Sequence, residues 1–117
     1  LPYTPESHHT IGAKEIALMK STATLINIAR GGIVDDLALA QALKEKKIFA
    51  AGLDVFEGEP KVNPELLKLS NVVLAPHIAS ATEKTRRAMV DLAIENVIAA
   101  LSGKKPPSLI NAEVFKG

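Results

Sequence analysis

Three short β-prone runs, 24–29, 49–56 and 71–75, alternate along the chain with stretches of helical periodicity, and this rhythm restricts the fold more than any other feature. Parallel strands need long crossovers, which are usually helices. The implied class is therefore α/β. Three strands make a thin sheet against the usual ~5–6, so the expected architecture is the later half of a doubly wound parallel sheet with crossover helices. The chain opens on Leu1 rather than methionine, in keeping with that expectation of missing earlier strands.

Residues 1–10, crowded with Pro and Thr, read as a loop, and 13–20 as a helix with Ile16 and Met19 one turn apart. The run 24–29 stops abruptly at the turn Arg30-Gly31-Gly32. Asp35 or Asp36 then caps a helix with Leu37, Ala40 and Leu43 on one face, and Lys44, Lys46 and Lys47 sit near its C-terminus, where cations suit the helix dipole. The run 49–56 is apolar except for Asp54, as expected of a strand covered on both faces. A short helical stretch runs from Pro64 to Leu69, and Pro76 ends the third strand. Ser80 and Glu83 have capping-box spacing ahead of a long helix whose Met89, Leu92, Ala93, Val97, Ala100 and Leu101 share a face up to Gly103. The expected division is one domain over 1–103 with its exit helix, then a tail, 104–117, containing Pro106-Pro107.

Composition narrows the function. At 117 residues there is room for one domain or part of one, and 47% hydrophobic with 23% charged residues indicates a buried core. A net charge of +1 and 3% aromatics give no reason to expect nucleic acid or an anionic membrane as partner. Without cysteine there is no disulfide framework or catalytic thiol, and no run of ~18 apolar residues occurs. A cytoplasmic setting is expected.

In an open parallel sheet, ligands bind beyond the carboxyl ends of the strands. Each strand here ends at a residue with chemical capacity: Arg30 after the first, Asp54 at the second with Glu57 and Glu59 beyond it, and His77 after the third. Arg30 offers a planar fork for a carboxylate, although a surface arginine on a turn has the same sequence. His77 can move a proton near neutral pH, and Glu57 or Glu59 could stabilise its protonated form. Asp54, in an apolar run, needs a polar partner such as backbone amides. Adjacent His8 and His9 have no third ligand nearby in sequence and read as solvent-facing loop histidines, so no metal is expected.

Four segments carry a family resemblance: Pro2-Tyr3-Thr4-Pro5-Glu6-Ser7, Leu25-Ile26-Asn27-Ile28-Ala29-Arg30-Gly31-Gly32-Ile33-Val34-Asp35, Gly52-Leu53-Asp54-Val55-Phe56-Glu57-Gly58-Glu59-Pro60 and Asn71-Val72-Val73-Leu74-Ala75-Pro76-His77-Ile78. In order and spacing they resemble the D-isomer-specific 2-hydroxyacid dehydrogenases. The resemblance implies the C-terminal half of a Rossmann-type nicotinamide-dinucleotide-binding domain, using NAD or NADP. It implies that Arg30 holds a 2-oxo acid, His77 is the general acid/base and Glu59 pairs with it, with Glu57 a bystander. It also implies cofactor contacts from Pro2, Ile28, Ala29, Arg30, Asp54, His77 and Ala79. Many members have glycine where Ala79 stands.

Ser80 resembles a substrate-contacting serine of the glyoxylate and hydroxypyruvate reductase branch, and equally suits a helix cap. The expected partner is thus a small 2-oxo or 2-hydroxy acid, and the complete protein is expected to be a homodimer. These residues alone, lacking the glycine-rich phosphate turn, are expected to be inactive. Two rivals remain open: a dehydrogenase for another small acid (phosphoglycerate, D-lactate or formate), and a non-catalytic, cofactor-sensing interaction protein of the same fold.

Overall fold

The computed structural model describes residues 1–115 and divides into two compact units, Leu1–Ala79 and Ser80–Gly117. In the first unit β1 (Thr24–Asn27), β2 (Ala50–Leu53) and β3 (Val72–Leu74) form a parallel sheet in the order β1-β2-β3. The α/β alternation read from the sequence is the observed one. Asn27 pairs with Leu53, and Leu53 with Leu74, so the three strands finish flush at one rim.

The sheet packs on one face. Leu25, Ala51 and Leu53 are buried, while Ile26 is 63% and Val73 72% exposed. Within the second strand itself Ala51 and Leu53 are buried and Ala50 and Gly52 half-buried, so the expected cover is complete on one face and partial on the other. Only four residues of the apolar run are strand; Phe49 precedes it and is exposed, and Val55 and Phe56 continue into the following loop, where they are buried. An apolar loop and an apolar strand look alike in sequence.

Helices α1 (Ala13–Ala17) and α2 (Asp36–Lys44) pack together, and Ile16, Leu39, Leu43, Ile48, Val55 and Leu66 are the most deeply buried side chains. Each contributes about 1.5–3 kcal/mol of apolar burial. Of the two cap candidates Asp35 is the cap, its Oδ1 accepting the N–H groups of Leu37 (3.0 Å) and Ala38 (2.9 Å). Asp36 turns inward instead. Its buried carboxylate accepts the Glu57 N–H at 3.0 Å, and burial raises its pKa above the usual carboxylate value.

In the second unit α3 (Glu83–Leu101) starts at Thr82, whose Oγ1 accepts the Thr85 N–H at 3.2 Å. Ser80 is thus not the cap: it lies two residues before it, outside the first turn. No α3 residue is buried, and even Leu101 is 85% exposed. Within 104–117 a short 3-10 turn covers Ala112–Val114. Among the described residues no helix is long and apolar enough to cross a membrane.

Candidate active site

The rim where the strands finish carries the side chains singled out above. His77 follows β3 through Pro76 and has φ 54, a left-handed conformation few non-glycine residues adopt. Such backbone persists only where its surroundings hold it, and here they do. The Asp54 carboxylate, just past β2 and 5% exposed, accepts the N–H groups of both Ile78 and Ala79 at 2.7 Å. Those bonds, Ile78 foremost, keep the Asp54 carboxyl below its ordinary pKa, with the nearby His77 adding to the effect. The partner that Asp54 needs is this pair of amides. Since the Ala79 N–H is engaged there, it is not a free donor.

His77 Nδ1 lies 2.9 Å from Glu59 Oε2. The other Glu59 oxygen accepts the Phe56 N–H at 2.9 Å, which fixes the carboxylate plane. The bond to His77, and next that from Phe56, hold the Glu59 carboxyl below the usual glutamate range. The two side chains border a cavity of about 280 Å³ whose other walls include Phe56, Val62, Leu67 and Leu74. An ion-pairing dyad facing an apolar hollow suits proton transfer to a small organic acid.

Arg30 stands on the turn after β1. Buried Asn27 shapes that turn, donating from Nδ2 to the Arg30 carbonyl (3.2 Å) and accepting the Ala29 N–H at Oδ1 (3.1 Å). The guanidinium is exposed and donates to the Ala29 carbonyl at 2.6 Å, leaving most of its donors free. A Cβ on Gly31 would stand 1.8 Å from the Phe56 carbonyl oxygen, so only glycine lets the Arg30 turn rest on the loop that carries Glu59. His77 and Glu59 thus meet directly, whereas Arg30 stands on the neighbouring turn, whose Gly31 rests against the Phe56 backbone.

Pro2, Tyr3, Ile28, Ala29 and Arg30 line a second, open hollow of about 570 Å³. Four of these were expected cofactor contacts, far apart in sequence. Ser80 belongs to the second unit. Sequence reasoning missed the Phe56 amide and the Asn27 brace, because neither a backbone donor nor a buried asparagine stands out in sequence. It also missed that Glu57 meets His9, at 3.0 Å, 48 positions away.

The sequence matches the family model of the D-isomer specific 2-hydroxyacid dehydrogenase NAD-binding domain over residues 1–79. The chain belongs to the D-isomer specific 2-hydroxyacid dehydrogenases. It is 55% identical over 116 residues to a glyoxylate reductase of Thermococcus gammatolerans, covering 99% of this chain and 35% of that one. It is 53% identical over 117 residues to a glyoxylate/hydroxypyruvate reductase B of Enterobacter agglomerans, covering 99% and 36%. Among solved structures, an NADPH-dependent glyoxylate/hydroxypyruvate reductase from Sinorhizobium meliloti, in complex with NADP and malonate, superposes with a TM-score of 0.81 at 43% identity, covering 87% of this chain and 32% of that one. The chain spans about a third of the length of the curated relatives it matches. Within this dehydrogenase family fold, the first unit is the part that the domain model covers, and the rim bearing Arg30, Glu59 and His77 lies in or just beyond its strand ends.

Proposed function

We propose that the complete protein is an oxidoreductase that transfers a hydride between a nicotinamide dinucleotide and a small 2-oxo acid, glyoxylate or hydroxypyruvate first. One observation carries this reading: the His77/Glu59 pair at 2.9 Å, at the mouth of an apolar cavity and one backbone contact from an arginine with free donors. The hollow at Pro2, Ile28, Ala29 and Arg30 offers apolar wall and exposed surface suited to a flat ring, Ile28 being 65% exposed, so these residues fit the cofactor and would hold its nicotinamide end. When bound, the reduced nicotinamide supplies the hydride.

The chain's own residues do the rest. Arg30 grips the substrate carboxylate with its fork and fixes the direction of the ketone. His77, paired with Glu59, donates a proton to the carbonyl oxygen, and in reverse neutral His77 takes the hydroxyl proton. Asp54 holds the 77–79 turn so that the imidazole stays aimed. Ser80 is a proposed substrate contact, α3 the proposed exit helix towards the substrate domain, and a cytoplasmic homodimer the proposed state of the complete protein.

The relatives named for glyoxylate and hydroxypyruvate, at 53–55% identity, support this substrate choice. The test is loss of reduced-nicotinamide absorbance with the full-length protein, NADH or NADPH, and a panel of 2-oxo acids. Turnover of glyoxylate or hydroxypyruvate above pyruvate and the other acids is the expected result. Bound cofactor with no turnover across the panel would replace this reading with the cofactor-sensing interaction protein.

A further inference from the structure

A second histidine–carboxylate cluster lies apart from the His77/Glu59 pair. His8, His9 and Glu57 place one ligand atom each within 4.8 Å of one another. His9 Nε2 is 3.0 Å from Glu57 Oε2. Two donors on a tetrahedral ion with bonds of about 2.0–2.2 Å are separated by about 3.4 Å, so an ion entering between them moves these atoms only a few tenths of an ångström. The His8 ring is stacked on the His9 ring with centroids 3.7 Å apart, so ligation by both requires the exposed His8 ring to turn off that stack.

The groups around the cluster bear on how its histidines are oriented. A metal-bound histidine ring usually gives its second nitrogen to an oxygen partner, which sets its orientation and tautomer. His8 Nδ1 is 3.1 Å from the Tyr3 hydroxyl in the stacked orientation, a contact that is exchanged for the ion when the ring turns. His9 Nδ1 is 3.7 Å from Asp35 Oδ2, on the side away from Glu57. Asp35 is itself fixed as the α2 cap. The backbone is fixed as well: the His9 N–H donates to the Gly32 carbonyl at 2.8 Å, Ile11 N–H to Ile33 at 3.0 Å, and Glu57 N–H to buried Asp36 at 3.0 Å. Two of the three ligands thus come from pinned segments.

We propose that His8, His9 and Glu57 form a site for one late first-row divalent cation such as Zn²⁺, with water in the remaining position and the Asp35 carboxylate nearby adding negative charge. Two imidazoles and a carboxylate suit Zn²⁺, Co²⁺ or Ni²⁺ over Mg²⁺ or Ca²⁺, which prefer oxygen. The bound ion fastens the 1–10 segment, which carries Pro2, to the loop after β2.

The test uses the full-length protein, freed of metal by chelator and titrated with Zn²⁺ by calorimetry and with Co²⁺ by visible absorbance. One ion per chain is expected, with tetrahedral-type cobalt bands displaced by Zn²⁺ and no response to Mg²⁺. H8Q, H9Q and E57Q should each weaken binding at least tenfold, and H77Q should leave it unchanged. H8Q alters an exposed side chain and keeps the test valid should H9Q fail to fold. No stoichiometric binding, binding unchanged in H8Q and E57Q, or binding lost in H77Q would each overturn the site. The readout is independent of turnover, so it stands or falls apart from the proposed reductase activity.

Discussion

One loop supplies, two residues apart, the glutamates of two histidine pairs, and the pairs sit in different surroundings. His77 lies 2.9 Å from Glu59 and His9 3.0 Å from Glu57, and both histidines have left-handed backbone, φ 54 and φ 51. Distance does not separate them; surroundings do. Glu59 has one oxygen tied to the Phe56 amide and the other to His77, beside a cavity walled by Val62, Leu67 and Leu74. With one bond to each oxygen, that carboxylate has the imidazole as its side-chain partner, beside an apolar wall. His9 instead has carboxylates near both nitrogens, from Glu57 and Asp35, and a second imidazole stacked upon it. Such surplus of negative charge and lone pairs favours a cation over a proton relay.

The sharpest way to break this contrast is to exchange the histidines one at a time. In the full-length protein H77Q should lower kcat by roughly 10²–10⁴-fold, the usual worth of a positioned general acid, with KM changed far less. H9Q in the same steady-state assay should stay within about twofold of wild type. Equal losses in the two variants would mean that the pairs are not functionally distinct. R30K should raise KM for the 2-oxo acid by roughly tenfold or more, because an ammonium lacks the planar fork; a KM near wild type would remove Arg30 from substrate binding.

Glu59 gives a pH signature. Its folded pKa is depressed, so its stabilising contribution is present above the ordinary carboxylate pKa and is lost as pH falls through the depressed value. The stability gap between wild type and E59Q in urea unfolding should be widest near neutrality and close as pH drops below the usual carboxylate range. A gap independent of pH would contradict the ion-paired carboxylate. The smallest effect belongs to Asp36, whose folded pKa is raised by burial. A raised acid destabilises the fold where it must be charged, and the penalty fades as pH falls through the raised value towards the unfolded one. D36N, which keeps an oxygen to accept the Glu57 N–H, should therefore be as stable as wild type in urea unfolding at neutral pH, or more stable by up to about 1 kcal/mol. That advantage should shrink in acid.

How much of this was legible beforehand differs between the two pairs. The rim was legible because parallel strands bring their ends together, whatever lies between them, and Arg30, Asp54 and His77 each stand within three residues of a strand end. Glu59 was named through family resemblance, and spacing alone left it level with Glu57. The His9/Glu57 contact depends on the turn of a loop and on 48 intervening residues, and no periodicity encodes it. Ser80 failed as a cap for a related reason: Ser80 and Thr82 are both competent, and only the observed start at Glu83 chooses between them. The apolar face of α3 has helical spacing, yet amphipathic spacing specifies that a face is to be covered, not by what.

The absent side chain at Gly31 has a mechanical consequence. With the Phe56 carbonyl filling the space where a methyl would stand, the arginine turn already rests as near to the glutamate loop as backbone allows, and any side chain at position 31 would push the two apart. On the proposed reading, a variant that accepts a bulkier acid gains its room at Val62, Leu67 or Leu74 rather than at that backbone contact.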